Sequence, residues 1–369
     1  MTTKIALCLP GGGAAGAIFQ IGALAALEDT LEGADAGGFA LYVGSSGGAS
    51  VAAALAGGLP VQRIYRAFLD PADVYFGLER KHLLRIDLGE WRRVLPALIA
   101  AVGEGASGLG GLVGRGTVPP PSALLWDKLE KLSEALPAGL FTLDTYERFL
   151  EDFFIRRGVP NSFFAMKRPL RILAHELDTA ELTLFGSESA SSASVTRACT
   201  ASMAIPPFFS PVKVEDRYYM NPGAGQVVHV EVAIAEDADV MVVINPLVPL
   251  RVNGSRSPAE AGGLRDRGML AIINQATRIG SSRSLRDQCR RAVEQGKSVL
   301  LIEPDLAEGN LLLGNPSSMD VRRRILEYAY RHTRAVLLRA FEDGHEAFAR
   351  SNWLVRPPRS SPLTTPVAT

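Results

Sequence analysis

The chain has 369 residues, of which 47% are hydrophobic and 7% aromatic, and its formal net charge at pH 7 is zero. This length suffices for one large α/β domain with insertions or for two domains. The balanced charge gives no support to nucleic-acid binding, and three widely spaced cysteines form neither a disulfide framework nor a zinc pattern. We therefore expect a cytoplasmic protein from a reducing compartment, and we find no apolar run long enough for a membrane span.

The N-terminal segment predicts a strand, a glycine-rich turn and a helix. An apolar strand-like run occupies 5–9, GGGAAG follows at 11–16, and 17–27 is apolar and helix-like. Glycines after a strand also suggest a dinucleotide site, which would need an acidic residue at the end of the next strand. Here the next strand ends at Val43 and continues into a serine-containing turn. A phosphate-binding G-K-[ST] is absent from the sequence as well.

A second strand–turn–helix unit covers 39–56, with GSSGG at its turn. GSSGG fits G-x-S-x-G, the nucleophile elbow, in which a sharp turn lifts the central hydroxyl above the sheet. The motif predicts Ser46 as the nucleophile, and only residues as small as Gly44 and Gly48 leave room for the turn. Ser45 occupies the variable position, where we expect its side chain to turn toward the sheet.

The two motifs together predict a nucleophile beside an oxyanion hole. Small residues let backbone N–H groups approach an oxyanion as it forms. The candidate oxyanion-hole residues are Gly11, Gly12, Gly13 and Ala14. Tight helix–strand packing and an ordinary flexible turn would explain either motif alone, but their occurrence in this order favours a hydrolase.

Between residues 70 and 169 the pattern changes to helices and loops. One helix is expected around Trp91, a second after Ser122, and a third opens at Asp144, with Glu147 completing a capping box. The apolar residues expected to point inward from the third helix are Phe149, Leu150, Phe153 and Phe154. We interpret the segment as a cap over the active site, with additional core packing as the alternative.

These motifs resemble the patatin-like phospholipase family, whose pattern is a G-G-G-x-x-G loop, a G-x-S-x-G serine and a D-G-[GA] aspartate. Similar segments continue at 173–186, 198–211 and 217–220, so that the resemblance covers most of 4–250. It implies an α/β fold with a mainly parallel sheet flanked by helices. It also implies hydrolysis of phospholipids or other lipid esters through an acyl-Ser46 intermediate, without a cofactor or a metal.

One element departs from the family pattern. Where D-G-[GA] is expected, the chain has Asn221-Pro222-Gly223-Ala224, and counting back from Asp237 puts Asn221 in the position of the aspartate. A shift by one residue would put Pro222 there instead, and neither residue is an acid. A carboxylate can take the serine proton directly, whereas an amide is too weak a base. This favours the alternative of a catalytically silent relative that binds lipid or a partner, while the intact Ser46 turn favours a hydrolase.

Other side chains could replace the missing carboxylate. Asp216 is close in sequence, but it is expected in the solvated turn of a hairpin. His229 begins a helix-like run and His175 ends a strand-like run, and without a visible partner a structural role is favoured for each. The remaining histidines, which lie in charged helical stretches, are His82, His332 and His345.

Beyond Pro249 the sequence becomes basic. Residues 251–297 contain ten Arg and Lys against four Asp and Glu, a surface that could attract anionic phospholipid head groups. Solvated helix faces are the alternative explanation. Strands are expected at 240–246 and 299–302, and a long helix at 320–350.

The expected organisation follows from these patterns. An α/β core covers 1–250 and is interrupted by the helical cap at 70–169. A basic, mainly helical region follows at 251–354. Residues 355–369, rich in Pro, Ser and Thr, are expected to form a disordered tail.

Overall fold

The computed structural model describes residues 3–70, 136–190, 192–224, 229–251, 263–306, 309–316 and 318–357, with positions 73, 85–89, 91, 92, 94 and 96. The helix expected after Ser122 lies outside these residues, as does most of the segment interpreted as a cap. Around Trp91, the described positions 91, 92, 94 and 96 are helical, as the sequence predicts.

The core is an eight-stranded sheet with the strand order β11-β10-β1-β3-β6-β9-β8 and with β7 paired to β6. Five adjacent strands are parallel: β1 (Ile5–Leu9), β3 (Leu41–Gly44), β6 (Leu170–Glu176), β10 (Val240–Ile244) and β11 (Ser298–Ile302). Antiparallel strands complete it: β7 (Leu182–Phe185), β8 (Val212–Val214) and β9 (Arg217–Met220). Two short pairs lie outside it: β2 (Leu31–Glu32) with β12 (Leu354–Val355), and β4 (Arg85–Ile86) with β5 (Phe141–Thr142).

Helices cover both faces of the sheet. They are α1 (Gly13–Thr30), α2 (Gly47–Ala56), α3 (Val61–Leu69), α4 (Asp144–Arg157), α5 (Val195–Met203), α6 (His229–Ala235), α7 (Met269–Glu294), α8 (Met319–Glu342) and α9 (Glu346–Ser351). The predicted fold class, a mainly parallel sheet flanked by helices, is confirmed.

Successive side chains of each strand point to opposite faces of the sheet, so the sheet divides the core in two. On β1, Leu7 and Leu9 point into the larger core with α1, α2, α5 and α8. Ala6 and Cys8 point into the smaller core with α6 and α7. Strands buried on both faces are continuously apolar, which is why β1 and β10 could be predicted from sequence.

The pairing of β6 brings a hairpin to the end of β3. Strand β7 pairs with residues 172–175 on one edge of β6, so β3, which ends opposite Ile172, and β9, whose last residue Met220 lies opposite His175, share the other edge. Strand β9 therefore continues the sheet where β3 stops. As a result, the residues after Met220 lie beside the turn that follows Gly44.

Three local expectations were wrong. Asp144 is the first residue of α4 and not its cap, and the side chain of Glu147 pairs with Arg197 of α5. The helix expected at 320–350 is divided, because Gly344 adopts φ 70° between α8 and α9. Val355, expected in the disordered tail, pairs instead with Leu31 in an antiparallel ladder.

The C-terminal elements are part of the same core as the N-terminal strands. Strand β11 pairs along its full length with β10, and helix α8 packs in the larger core with α1.

Within the described part of the chain, no helix has both the length and the apolar composition required to cross a bilayer.

Candidate active site

Ser46 lies at a sharp turn between β3 and α2. Its backbone has φ 53° and ψ −130°, a conformation that costs a non-glycine residue free energy, and its side chain is buried. A Cβ atom at Gly48 would lie 2.1 Å from the carbonyl oxygen of Leu9, and one at Gly44 would lie 2.8 Å from Cα of Ala49. The glycines therefore let β1, β3 and α2 approach closely enough to form this turn.

The glycine-rich segment after β1 is adjacent to Ser46. Strands β1 and β3 are parallel neighbours, so both turns lie at the same edge of the sheet. A Cβ atom at Gly11 would lie 2.9 Å from Cβ of Ser46 and 3.5 Å from its Oγ. Gly12 precedes α1, and α1 starts at Gly13, so that Gly13 and Ala14 are helical and not part of a loop.

Two helix N-termini therefore meet beside Ser46. A Cβ atom at Gly47, the first residue of α2, would lie 2.3 Å from the carbonyl oxygen of Gly13, the first residue of α1. The first N–H groups of a helix have no acceptor within that helix and carry the positive end of its dipole. The arrangement is suited to binding an anion or a developing oxyanion.

The carboxyl end of α5 supplies contacts that the motifs did not predict. The Ser46 N–H donates to Oγ of Ser202 at 2.8 Å, and the Ser202 hydroxyl donates to the carbonyl of Leu173 at 2.6 Å. The Ser46 hydroxyl contacts Sδ of Met203 at 3.5 Å, a weak acceptor. Only the small-residue character of 198–203 and its resemblance to the family helix pointed to this element in the sequence.

Asn221 lies immediately after β9 and is buried, but its side chain is bonded elsewhere than to Ser46. Nδ2 donates to the carbonyl of Ser202, and Oδ1 accepts from the N–H of Gly223 at 2.7 Å. The backbone N–H of Asn221 donates to the carbonyl of Ala204 at 2.9 Å. Asn221 thus ties the end of α5 to the turn at Pro222–Ala224. It bonds to Ser202, whereas the Ser46 hydroxyl contacts the next residue of α5, Met203.

His229 has a partner that could not be seen in the sequence. Its Nε2 lies 3.0 Å from Oγ of Ser45, the other serine of the elbow, and both side chains are buried. Burial lowers the pKa of His229 to about 3, because the apolar surroundings disfavour the imidazolium. Nδ1 has no hydrogen-bond partner. His229 is therefore a neutral group that holds Ser45 and a poor acceptor for a serine proton.

In the described part of the chain, none of the other candidate bases is hydrogen-bonded to Ser46. Asp216 is fully exposed in the hairpin between β8 and β9. His332 bonds to the carbonyl of Glu303, and His345 accepts from the N–H of Ala347 at the start of α9. His175 is on β6 opposite Met220, and His82 lies outside the described residues.

One buried polar side chain and one proline hold the backbone around the glycine segment. Gln20 of α1 donates from Nε2 to the carbonyls of Pro10, at 2.6 Å, and of Ile244, at 3.2 Å. Pro246 follows β10, and a Cβ at Gly12 would lie 2.6 Å from its Cγ. The ends of β1 and β10 are thereby fixed against each other. In the ranges that the structure describes, no cluster of His, Cys, Asp or Glu is arranged to hold a metal ion.

A family model, patatin-like phospholipase, matches residues 7–234, which include the elbow, the glycine segment and Asn221. The chain belongs to the patatin-like phospholipase family. The match ends within α6, so that β10, β11 and α8 of this patatin-like protein lie beyond the matched residues.

Solved structures similar to this patatin-like chain include VipD and ExoU, both at low identity. VipD from Legionella pneumophila is 16% identical, with a TM-score of 0.38, over 96% of this chain and 68% of VipD. The type III effector ExoU is 16% identical, with a TM-score of 0.34, over 96% of this chain and 55% of ExoU. Full-length ExoU in complex with SpcU from Pseudomonas aeruginosa is 16% identical, with a TM-score of 0.36, over 92% of this chain and 53% of that chain. Among curated protein sequences, none matches the chain.

Proposed function

We propose that this protein is a lipid acyl hydrolase, in which Ser46 Oγ attacks a carboxylic ester of a phospholipid or another lipid and forms an acyl-Ser46 intermediate. The observation that carries the proposal is the strained backbone of Ser46, with φ 53° at the N-cap of α2. Strain of this kind persists only where the surrounding structure enforces it, and it is concentrated at functional sites. The family membership supports the same reaction class.

The oxyanion hole is assigned to Gly11, Gly12, Gly13 and Ala14. The proximity of Gly11 to Ser46 and the meeting of two helix N-termini support this assignment. An oxygen bound to the carbon that Ser46 attacks would become negative in the tetrahedral intermediate. One well-placed donor to that oxygen contributes about 10²–10³ in rate.

The reaction is expected to be slow, because no carboxylate among the described residues is bonded to the Ser46 hydroxyl. Asn221 occupies the position of the family aspartate, yet its side chain bonds to Ser202 and Gly223. In a triad, Asp→Asn costs about 10⁴ in rate, and a dyad without its acid should lose at least as much. The same observation supports the second candidate function, a catalytically silent protein that binds lipid or a partner.

The proposed location is cytoplasmic, with peripheral contact at anionic membrane surfaces. The excess of Arg and Lys in 251–297 supports this contact. Each basic side chain close to such a surface contributes about 1 kcal/mol.

The test is covalent labelling with a fluorophosphonate probe, compared for wild type, Ser46→Ala and Ser45→Ala. Because Ser46 is strained and adjacent to the helix N-termini, we expect the label on Ser46 and its loss in Ser46→Ala alone. Turnover of a short-chain p-nitrophenyl ester and of phospholipid vesicles then measures the reaction. Labelling that persists in Ser46→Ala would reject Ser46 as the nucleophile, and an unlabelled, inactive wild type would favour the silent alternative.

A further inference from the structure

The first three turns of α7 expose their apolar side to solvent. Met269 is 71% exposed, Ile272 52%, Ile273 42% and Ile279 38%. At 100° per residue these side chains lie on one side of the helix, where the exposed Ala276 also lies. We call this set the outer face of α7. Single exposed apolar residues are ordinary, but a continuous apolar face on a surface helix marks a contact site.

The opposite side of the same turns is polar and is bonded to the protein. The side chain of Gln275 accepts from the N–H of Leu250 at 2.9 Å and donates to its carbonyl at 3.0 Å. Arg278 is buried and donates to the carbonyl of Val248 at 3.0 Å and, from Nε, to Oδ1 of Asn274. These bonds hold the helix in an orientation that turns its apolar side outward, so the exposure follows from specific contacts.

Positive charge borders the outer face at both ends. Arg265 and Arg267 are exposed in the short 3₁₀-helix just before Met269, and Arg283 is exposed one turn after Ile279. The exposed Asp266 between the first two accepts from the N–H of Gly263, and the balance at that end remains positive. If two copies of this face met across a two-fold axis, arginines would lie near arginines, which disfavours self-association. An anionic lipid surface matches both features, since its acyl region accepts the apolar side chains and its head groups accept the arginines.

We propose that the outer face of α7 docks this protein on anionic phospholipid bilayers. Docking would serve the proposed hydrolase by holding its active site near the lipid substrate. The inner side of α7 contacts the segment that supports the oxyanion glycines. Arg278 donates toward the carbonyl of Pro246, and Pro246 packs on Gly12 and Gly16. Docking therefore brings the Ser46 edge of the sheet close to the lipid surface.

The experiment is co-sedimentation of Ser46→Ala protein with vesicles of phosphatidylcholine alone or with roughly 30% phosphatidylserine. The full-length Ser46→Ala chain keeps the docking measurement independent of hydrolysis. Ile272→Glu tests the outer face, and Val293→Glu is the matched control, since Val293 is 61% exposed on the same helix but lies about four turns beyond Ile279. Circular dichroism and thermal unfolding check that both variants are folded.

We expect Ile272→Glu to weaken binding to the anionic vesicles by about tenfold or more, whereas Val293→Glu leaves it within about twofold. Arg265→Glu combined with Arg267→Glu should weaken binding to anionic vesicles by at least about tenfold and leave binding to neutral vesicles unchanged. Equal binding of Ile272→Glu and Val293→Glu would overturn the proposal. So would a dimer in sedimentation velocity that Ile272→Glu dissociates, because the occupant would then be a second copy.

The two proposals fail separately in this design. If Ser46→Ala protein binds anionic vesicles through the outer face while wild type hydrolyses no ester, the docking proposal stands and the hydrolase proposal is rejected. If wild type hydrolyses esters and no variant changes vesicle binding, the hydrolase proposal stands and the docking proposal is rejected.

Discussion

Asn221 differs from an aspartate by one group, and that group determines what the side chain can contact. As an amide, it donates to the carbonyl of Ser202 and accepts from Gly223. A carboxylate would keep the acceptor oxygen but would place a second oxygen against the Ser202 carbonyl, which is electrostatically unfavourable. Rotation of such a carboxylate away from Ser202 is therefore expected, and the Ser46 hydroxyl next to α5 is a donor that it could meet.

Asn221→Asp combined with Pro222→Gly tests whether the site has lost only its base. Pro222 fixes its own φ and restricts Asn221, so the double substitution gives a new carboxylate the freedom to reorient. We expect ester hydrolysis to rise by orders of magnitude, up to about 10⁴. The measurement is kcat/KM with a p-nitrophenyl ester.

Pro222→Gly alone is the control for the backbone change, and the triple variant with Ser46→Ala shows whether any gain depends on Ser46. No gain in the double variant would mean that Asn221 is not the counterpart of the aspartate or that more than one residue of the site has changed. Rapid turnover by wild type would instead require a base other than Asn221.

His229 should make the fold sensitive to acid. Its pKa is about 3 in the folded protein, against about 6.5 in the unfolded chain. Between these values the unfolded chain binds a proton that the native state excludes, so the free energy of unfolding falls as the pH decreases below about 6.5. The slope from this group is about 1.4 kcal/mol per pH unit.

His229→Gln should reduce that slope, because glutamine can still bond to Ser45 but does not titrate. We expect urea unfolding between about pH 4 and 6 to show a shallower pH dependence in the variant than in wild type. His345→Gln is the control, since His345 lies at the start of α9 and is only partly buried, whereas His229 is fully buried. Parallel pH profiles for wild type and His229→Gln would show that His229 is not a buried neutral group.

At the scale of secondary-structure elements, the sequence predicted the parts of the site that are local. The two strand–turn–helix units were predictable because an apolar strand, a cluster of glycines and an apolar helix follow one another directly. The contacts from Ser202, Met203 and His229 were not, because they depend on how α5 and α6 pack at the end of β3. Residues this far apart in the chain carry no periodic signal that links them to Ser46.

The close approach of α2 to β1 can be tested at Gly48. A Cβ there would lie 2.1 Å from the carbonyl oxygen of Leu9 and 2.9 Å from that of Pro10, and neither backbone group can move without disturbing the sheet. We expect Gly48→Ala to lower the free energy of unfolding by about 3 kcal/mol and to abolish labelling of Ser46. Chemical denaturation and fluorophosphonate labelling measure the two effects.

Gly280→Ala is the matched control, because Gly280 is also helical but a Cβ there meets nothing within 4 Å. This substitution should stabilise the protein by about 1 kcal/mol, as expected for alanine in place of glycine in a helix. A Gly48→Ala protein as stable as the Gly280→Ala protein would contradict the close packing of β1, β3 and α2.

For the whole molecule, the sequence predicted the sheet class and most strands but did not predict how the last hundred residues join the core. A basic composition suggested a separate region, whereas β11 extends the sheet beside β10 and α8 packs on α1. Strand order depends on which edges are free once the helices have packed, and composition contains no information about that.

This integration predicts that residues 1–250, which contain the segment matching the family, do not fold alone. Gly22 of α1 lies so close to α8 that a Cβ there would be 2.8 Å from both the Leu326 carbonyl oxygen and Cβ of Ala329. A chain cut after Leu250 loses that helix and leaves the edge of β10 unpaired, so we expect no cooperative thermal transition and strong binding of a hydrophobic dye. A chain cut after Pro357 keeps β12 paired with β2 and should unfold at the temperature of the full chain. Differential scanning calorimetry measures the thermal unfolding of both chains. A sharp unfolding transition in the shorter chain would show that residues 1–250 form an independent domain and that α8 is only an addition to it.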